Sequence, residues 1–161
     1  MTGLVRHAEA MDGAAIGRVH VECWREAYAH ILSAELLGGL DPVARGEQWE
    51  RFLAKPRPEH RVSVLEVDGE IRGFAMSGPS VEDPPVRDIQ LYSIYQYASE
   101  HSTGSGQLLL DAVIGDAPAE LWVAEHNPRA IAFYRRNGFE LDGAQKTEPD
   151  WENLSEVRMV R

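Results

Sequence analysis

Cysteine is almost missing from this chain of 161 residues: Cys23 stands alone, so no disulfide can form within it, and a reducing cytoplasm is the expected compartment. Long apolar runs are missing too. No segment approaches the length that crosses a bilayer as a helix, and the N-terminal residues lack the apolar core of a secretion signal, so no membrane partner is expected. Positive charge is in deficit, with 16 Lys and Arg against 26 Asp and Glu and a formal net charge of −10. That balance opposes nucleic acid and anionic lipid as partners and favours cationic substrates. The six histidines show no paired Cys/His spacing, so no metal is expected. With 43% apolar residues the chain can bury one sizeable core, and residues 1–161 are expected to form one domain.

What the chain does have is glycine in a telling place. His101-Ser102-Thr103-Gly104-Ser105-Gly106 follows a strand-like run, Ile89 to Tyr97, and precedes the apolar Leu108-Leu109-Leu110. A strand, a loop of small residues and a helix make a phosphate cradle. Glycine lets the backbone approach an anion, and the first helical turn offers unpaired N–H groups. Two better-known glycine motifs are excluded. A P-loop needs Lys-Ser/Thr where Gln107-Leu108 stand, and the dinucleotide fingerprint needs a small residue where Leu109 stands. The hydrolase elbow Gly-x-Ser-x-Gly fails around Ser105, because Thr103 and Gln107 flank it.

Hydrophobic periodicity orders the rest. Leu4 to His7 reads as a strand. Ala14 to Ile31 reads as an amphipathic helix with Ile16, Val19, Cys23, Ala27 and Ile31 on one stripe. Gly38-Gly39 separates it from a helix that Asp41-Pro42 opens and that runs to about Leu53. Val62 to Val67 and Ile71 to Ser77 form a hairpin across Asp68-Gly69. Helices over Gly106 to Ile114 and Asn127 to Asn137, a strand over Leu121 to Ala124, and strands over Phe139 to Lys146 and Ser155 to Val160 complete the chain. No internal repeat interrupts this order.

The spacing polar-x-x-Gly-x-Gly at His101 to Gly106 resembles the coenzyme A pyrophosphate loop of the GNAT superfamily of N-acetyltransferases. A second match follows at the right distance: Asn127-Pro128-Arg129-Ala130-Ile131-Ala132-Phe133-Tyr134-Arg135-Arg136-Asn137-Gly138-Phe139 is similar to the family's Asn-x-x-Ala-x-x-Phe-Tyr-x-x-x-Gly-Phe. The resemblance is close over residues 86–142 and elsewhere lies in the order of elements. It implies an α/β (α+β) fold: a mixed, mostly antiparallel sheet of about six to seven strands with splayed central strands, flanked by about four helices. It also implies acetyl-coenzyme A as co-substrate, a small-molecule or peptide amine as acceptor, and room for a homodimer. The cofactor would lie on His101, Ser102, Thr103, Gly104, Ser105 and Gly106, on Ile94, Tyr95 and Gln96 of the preceding strand, and on Asn127 and Tyr134.

Each of these residues has a plainer reading. Asn127 before Pro128 is a helix cap with proline at the first helical position, a role compatible with lying beside the cofactor. Tyr134 falls on the stripe that should face the sheet, where a tyrosine is usually core; the resemblance instead puts its phenol at the cofactor sulfur as a proton donor. Glu100 would repel a pyrophosphate, and Arg135 or Arg136 would have to offset it. Gln90 stands where members using a strand-borne glutamate carry their general base, and an amide can at best orient a water. Glu22, Glu26, His30 and Glu125 are the other candidates for the base. Trp24 and Tyr28 fall one turn apart on the first helix, as core or as an acceptor wall. Trp122 stands where members acetylating protein N-termini tend to carry glutamate, which counts against that substrate class. Cys23, in an apolar stripe, is expected to be buried and unreactive, so the amine attacks directly in a ternary complex. The competing reading is a coenzyme A binding or regulatory module with little turnover, motivated by Gln90 and by the loop residues His101 and Ser102.

Overall fold

The computed structural model describes residues 3–161. Along the chain run β1 (Leu4–His7), α1 (Gly13–Tyr28), α2 (Ala34–Gly38), α3 (Pro42–Leu53), β2 (Arg61–Val67), β3 (Glu70–Pro79), β4 (Ile89–Gln96), α4 (Ser105–Val113), β5 (Glu120–Ala124), α5 (Pro128–Arg136), β6 (Glu140–Glu148) and β7 (Leu154–Val160). The strands form one mixed open sheet of seven in the order β1-β2-β3-β4-β5-β7-β6. Every neighbouring pair is antiparallel except β4 and β5.

Local chemistry accounts for most boundaries. Asp41 caps α3, its Oδ1 accepting from Val43 N–H at 2.9 Å, and Pro42 holds the first helical position. Asp68 and Gly69 both take positive φ, 53° and 82°, as a two-residue hairpin turn requires. The first helix stops at Tyr28, three residues short of the expected Ile31. Ser33 then opens α2, its hydroxyl accepting from Leu36 N–H. This five-residue helix raises the α-helix count to five. Too short to show a period, it left only the Gly38-Gly39 break visible in the sequence.

One apolar cluster, built on Leu65, Leu91, Leu109, Leu110, Leu121 and Phe139, joins α4 and α5 to the sheet. A second, with Ile16, Val19, Trp49, Val64 and Phe74, joins it to α1 and α3. These two helices cross so closely that a Cβ added to Gly17 would lie 2.3 Å from the Gly46 backbone nitrogen. Glycine is therefore required there by space, not by φ. No helix among the described residues is long and apolar enough to cross a membrane.

The parting of β4 and β5 matters most for function. They pair at Gln90↔Glu120 and Leu91↔Leu121 and then diverge, β5 continuing against β7. The β3–β4 register slips between Met76 and Ser77, so Tyr92 is an extra residue in β4. A bulge of this kind bends the strand that carries it. The splay thus begins at the bulge.

Gly17→Ala tests the helix crossing. Alanine favours a helix interior by about 1 kcal/mol, yet here its methyl meets backbone, and a net loss of about 1–3 kcal/mol is expected. Urea unfolding checks it against Gly38→Ala, where the added Cβ meets nothing within 4 Å. Equal effects of the two substitutions would contradict the close crossing.

Candidate active site

Between the diverging ends of β4 and β5 lies a cleft of about 1030 Å³. Ser93, Ile94, Tyr95 and Gln96 line one side, Trp122, Val123 and Ala124 the other. The N-terminus of α4 closes one end and the β6–β7 hairpin the other. Beyond Leu91 the backbone of β4 has a strand partner only on its β3 side.

At the α4 end, Gly104 adopts φ +88° and turns the chain into the helix. The N–H groups of Gly104, Gly106 and Gln107 find no partner among the described residues, so this end offers donors to an anion. Gly104, Gly106, His101 and Ser102 line the cleft; Thr103 and Ser105 do not. The last two instead lock the loop. Thr103 Oγ1 donates to the Glu100 carbonyl at 2.6 Å, and Ser105 Oγ donates to Gln96 Oε1 at 2.7 Å. Ser102 holds φ +63°, a left-handed conformation that glycine would adopt without strain.

The electrostatics of this end differ from expectation. Glu100 does not face the cleft as a bare charge: Arg72 Nε donates to its Oε1 at 3.3 Å. Arg136 lines the cleft and Arg135 does not, while Arg129, which the sequence reading missed, lines it as well. Burial, with Arg129 adding to it, pushes the His101 imidazole below its ordinary value, so His101 is neutral at neutral pH. The two arginines therefore carry the positive charge.

Tyr134, 7% exposed, also lines the cleft. Burial first, and then Tyr28, raises its phenol well above the ordinary range, and no hydrogen bond contributes. A neutral hydroxyl therefore faces the cleft. Phe133 packs edge-on against it at 5.5 Å. Asn127 serves as the α5 cap, its Oδ1 accepting from Ala130 N–H at 3.2 Å, and also lines the cleft. Trp24, Tyr28 and Tyr95 gather opposite, with the Trp24 and Tyr28 ring centroids 4.7 Å apart. Cys23 is buried, and burial followed by Glu26 and Glu22 pushes its thiol up to about 12, which removes it as a nucleophile.

The candidate bases fare differently. Gln90 is buried below the cleft, and its Oε1 accepts from Val81 N–H at 3.1 Å. It fixes the β3–β4 loop together with fully buried Glu120, which accepts from Val86 and Arg87 N–H at 2.9 Å each. Gln90, expected at best to orient a water, thus supports this loop and does not line the cleft. Glu26 lines the cleft but accepts from Ala98 N–H at 3.1 Å, bracing α1 on the loop between β4 and α4. Glu125 accepts from Gln145 and Ser155, and neither it, Glu22 nor His30 lines the cleft. Sequence reasoning also missed Glu148, Trp151 and Glu156, which line the far end. No local motif marks them; only the β6–β7 register brings them to the cleft. Among the described residues no group of three His, Cys, Asp or Glu could hold a metal ion.

Residues 15–139 match the Acetyltransferase (GNAT) family, and the chain belongs to it. Among its relatives, an uncharacterized N-acetyltransferase of Bacillus subtilis, YuaI, is 29% identical, the alignment covering 97% of this chain and 96% of that protein. A probable N-acetyltransferase of Mycobacterium tuberculosis, Rv2775, is 28% identical over 96% of this chain and 88% of its own length. In fold the chain is similar to the PaiA N-acetyltransferase of Thermoplasma acidophilum, solved in complex with coenzyme A. The TM-score is 0.74 at 17% identity, over 98% of each chain.

Gly104→Ala isolates the backbone requirement of the loop. The added Cβ meets nothing within 4 Å, so only the positive φ penalises it. A loss of about 1–2 kcal/mol is expected in equilibrium urea unfolding. Unchanged stability would mean that the loop does not hold this conformation.

Proposed function

We propose that this protein moves an acetyl group from acetyl-coenzyme A to a primary amine by direct attack in a ternary complex. The observation that carries the reading is a single one: one cleft is lined by unpaired N–H groups at the start of α4, by two arginines and by a neutral, buried phenol. The family supports acetyl transfer, and the fold neighbour that binds coenzyme A supports the cofactor.

The chain fits such a cofactor on its own terms. The unpaired N–H groups of Gly104, Gly106 and Gln107, with Arg129 and Arg136, suit a pyrophosphate. The free edge of β4 from Ser93 to Gln96 can pair with amides of an extended arm, and a β4 N–H directed at the thioester oxygen would stabilise the charge that develops there. Tyr134 is then the proton donor to the leaving sulfur. Trp24 and Tyr28 wall the side from which the amine arrives. The alternative, a coenzyme A binding or regulatory module with little turnover, predicts cofactor binding without thiol release when amines are offered.

Tyr134→Phe removes only the hydroxyl. We expect acetyl-coenzyme A affinity by calorimetry and the melting temperature to change little, and kcat for thiol release with an amine to fall by roughly 10²-fold or more. An unchanged kcat with a lowered melting temperature would mean that the hydroxyl is only a core group.

A further inference from the structure

Past Tyr134 the cleft ends at two carboxyl groups, Glu148 at the end of β6 and Glu156 in β7. The hairpin register sets Lys146 opposite Glu156 and Glu148 opposite Leu154. Glu148 and Glu156 are therefore diagonal neighbours on one face of the sheet. Two carboxyl groups set side by side in this way disfavour each other's charge. Burial above all, with the neighbouring carboxyl of Glu148 adding to it, pushes Glu156 up to about 7, against the pull of Lys146. Charged and titratable groups around it come from three elements. Lys146 and Glu148 stand on β6, Arg158 stands on β7 but is held by Asp142 at 2.6 Å, and buried Tyr28 faces it from α1.

Aromatic rings share the lining with these carboxyls. The Trp24 and Trp151 centroids lie 4.5 Å apart, and Trp24 Nε1 is buried without a partner among the described residues. The protein already seats one ammonium in such surroundings. Lys146 Nζ lies 4.5 Å from the Trp122 ring centroid and 3.2 Å from Glu148 Oε1. One lysine faces two carboxyls, which leaves room for a second cation. A substrate carboxylate has no such welcome: among the described residues, the only arginines or lysines lining the cleft are Arg129 and Arg136 on α5, on the side of His101.

Building on the acetyltransferase reading, we propose that Glu156 takes the proton from the acceptor nitrogen, that Glu148 positions it, and that the acceptor is an alkylammonium that carries no carboxylate. Glu156 accepts one proton from the ammonium and passes it to solvent, leaving a neutral amine. As the C–N bond forms and the C–S bond breaks, Tyr134 gives its proton to sulfur. The second nitrogen proton then restores the phenol. The products are an N-alkylacetamide, the free thiol and one proton.

Thiol release with 1,5-diaminopentane and with lysine, the same carbon chain bearing a carboxylate, tests the substrate class. We expect kcat/KM to favour the diamine by about 10²-fold or more, since a carboxylate beside like charges costs several kcal/mol. The wild-type rate should rise with pH through about 7, because the base acts only when deprotonated. Glu156→Gln should lower kcat by roughly 10²-fold or more and abolish that limb, while acetyl-coenzyme A affinity stays the same. Glu148→Gln should move the limb to lower pH and Lys146→Met to higher pH, shifts that a purely structural role would not produce. Equal use of lysine, or a Glu156→Gln enzyme with the limb intact, overturns the proposal. So does a wild type that binds acetyl-coenzyme A and acetylates neither probe. Failure of the wild type to bind acetyl-coenzyme A overturns the acetyltransferase reading itself.

Discussion

Two residue pairs hold β4 to β5, and everything functional in this molecule depends on there being no more. A parallel pair that continued past Leu91↔Leu121 would satisfy the backbone of β4 with protein and fill the cleft. Instead the extra residue at Tyr92 turns β4 away, and β5 takes β7 as its continuing partner. A free strand edge in the middle of a sheet is a liability that folded proteins normally cover. Here it is enclosed between helices and open to one extended ligand.

Support for that opening is spread through the chain. Glu120, fully buried, spends both carboxylate oxygens on the β3–β4 loop, with Ser80, Val86 and Arg87 as donors. Gln90 secures Val81 of the same loop. Glu26 ties α1 to Ala98, and Arg72 ties Ser99 and Glu100 to β3. Several polar residues that look like chemistry in the sequence thus hold the cleft's frame. His20 belongs with them. It accepts from Trp49 Nε1 at 3.3 Å, and burial pushes it down to about 3, so it stays neutral inside an aromatic core.

The sequence showed the glycine loop before α4, the α5 motif and the aromatic pair Trp24 and Tyr28, all of which line the cleft, because each is local: its residues are close in sequence and their spacing carries the geometry. The strands were likewise readable along the chain from alternation and turn residues, whereas the place of β7 between β5 and β6 in the sheet was not. The far end of the cleft was not. Glu148, Trp151 and Glu156 come from strand pairing at the C-terminus, and a carboxylate there looks in sequence like any solvated one. Gln90 shows the opposite failure, since a spacing rule placed it at the chemistry while one hydrogen bond to Val81 takes it elsewhere. The short helix Ala34–Gly38 was invisible for want of length.

Amide hydrogen exchange with and without acetyl-coenzyme A tests the central claim most directly, namely that the edge freed by the parting strands is where the cofactor lies. The account predicts new protection confined to Ser93–Gln96 of β4 and to the N–H groups of Gly104, Gly106 and Gln107. Binding without added protection at either segment would contradict it.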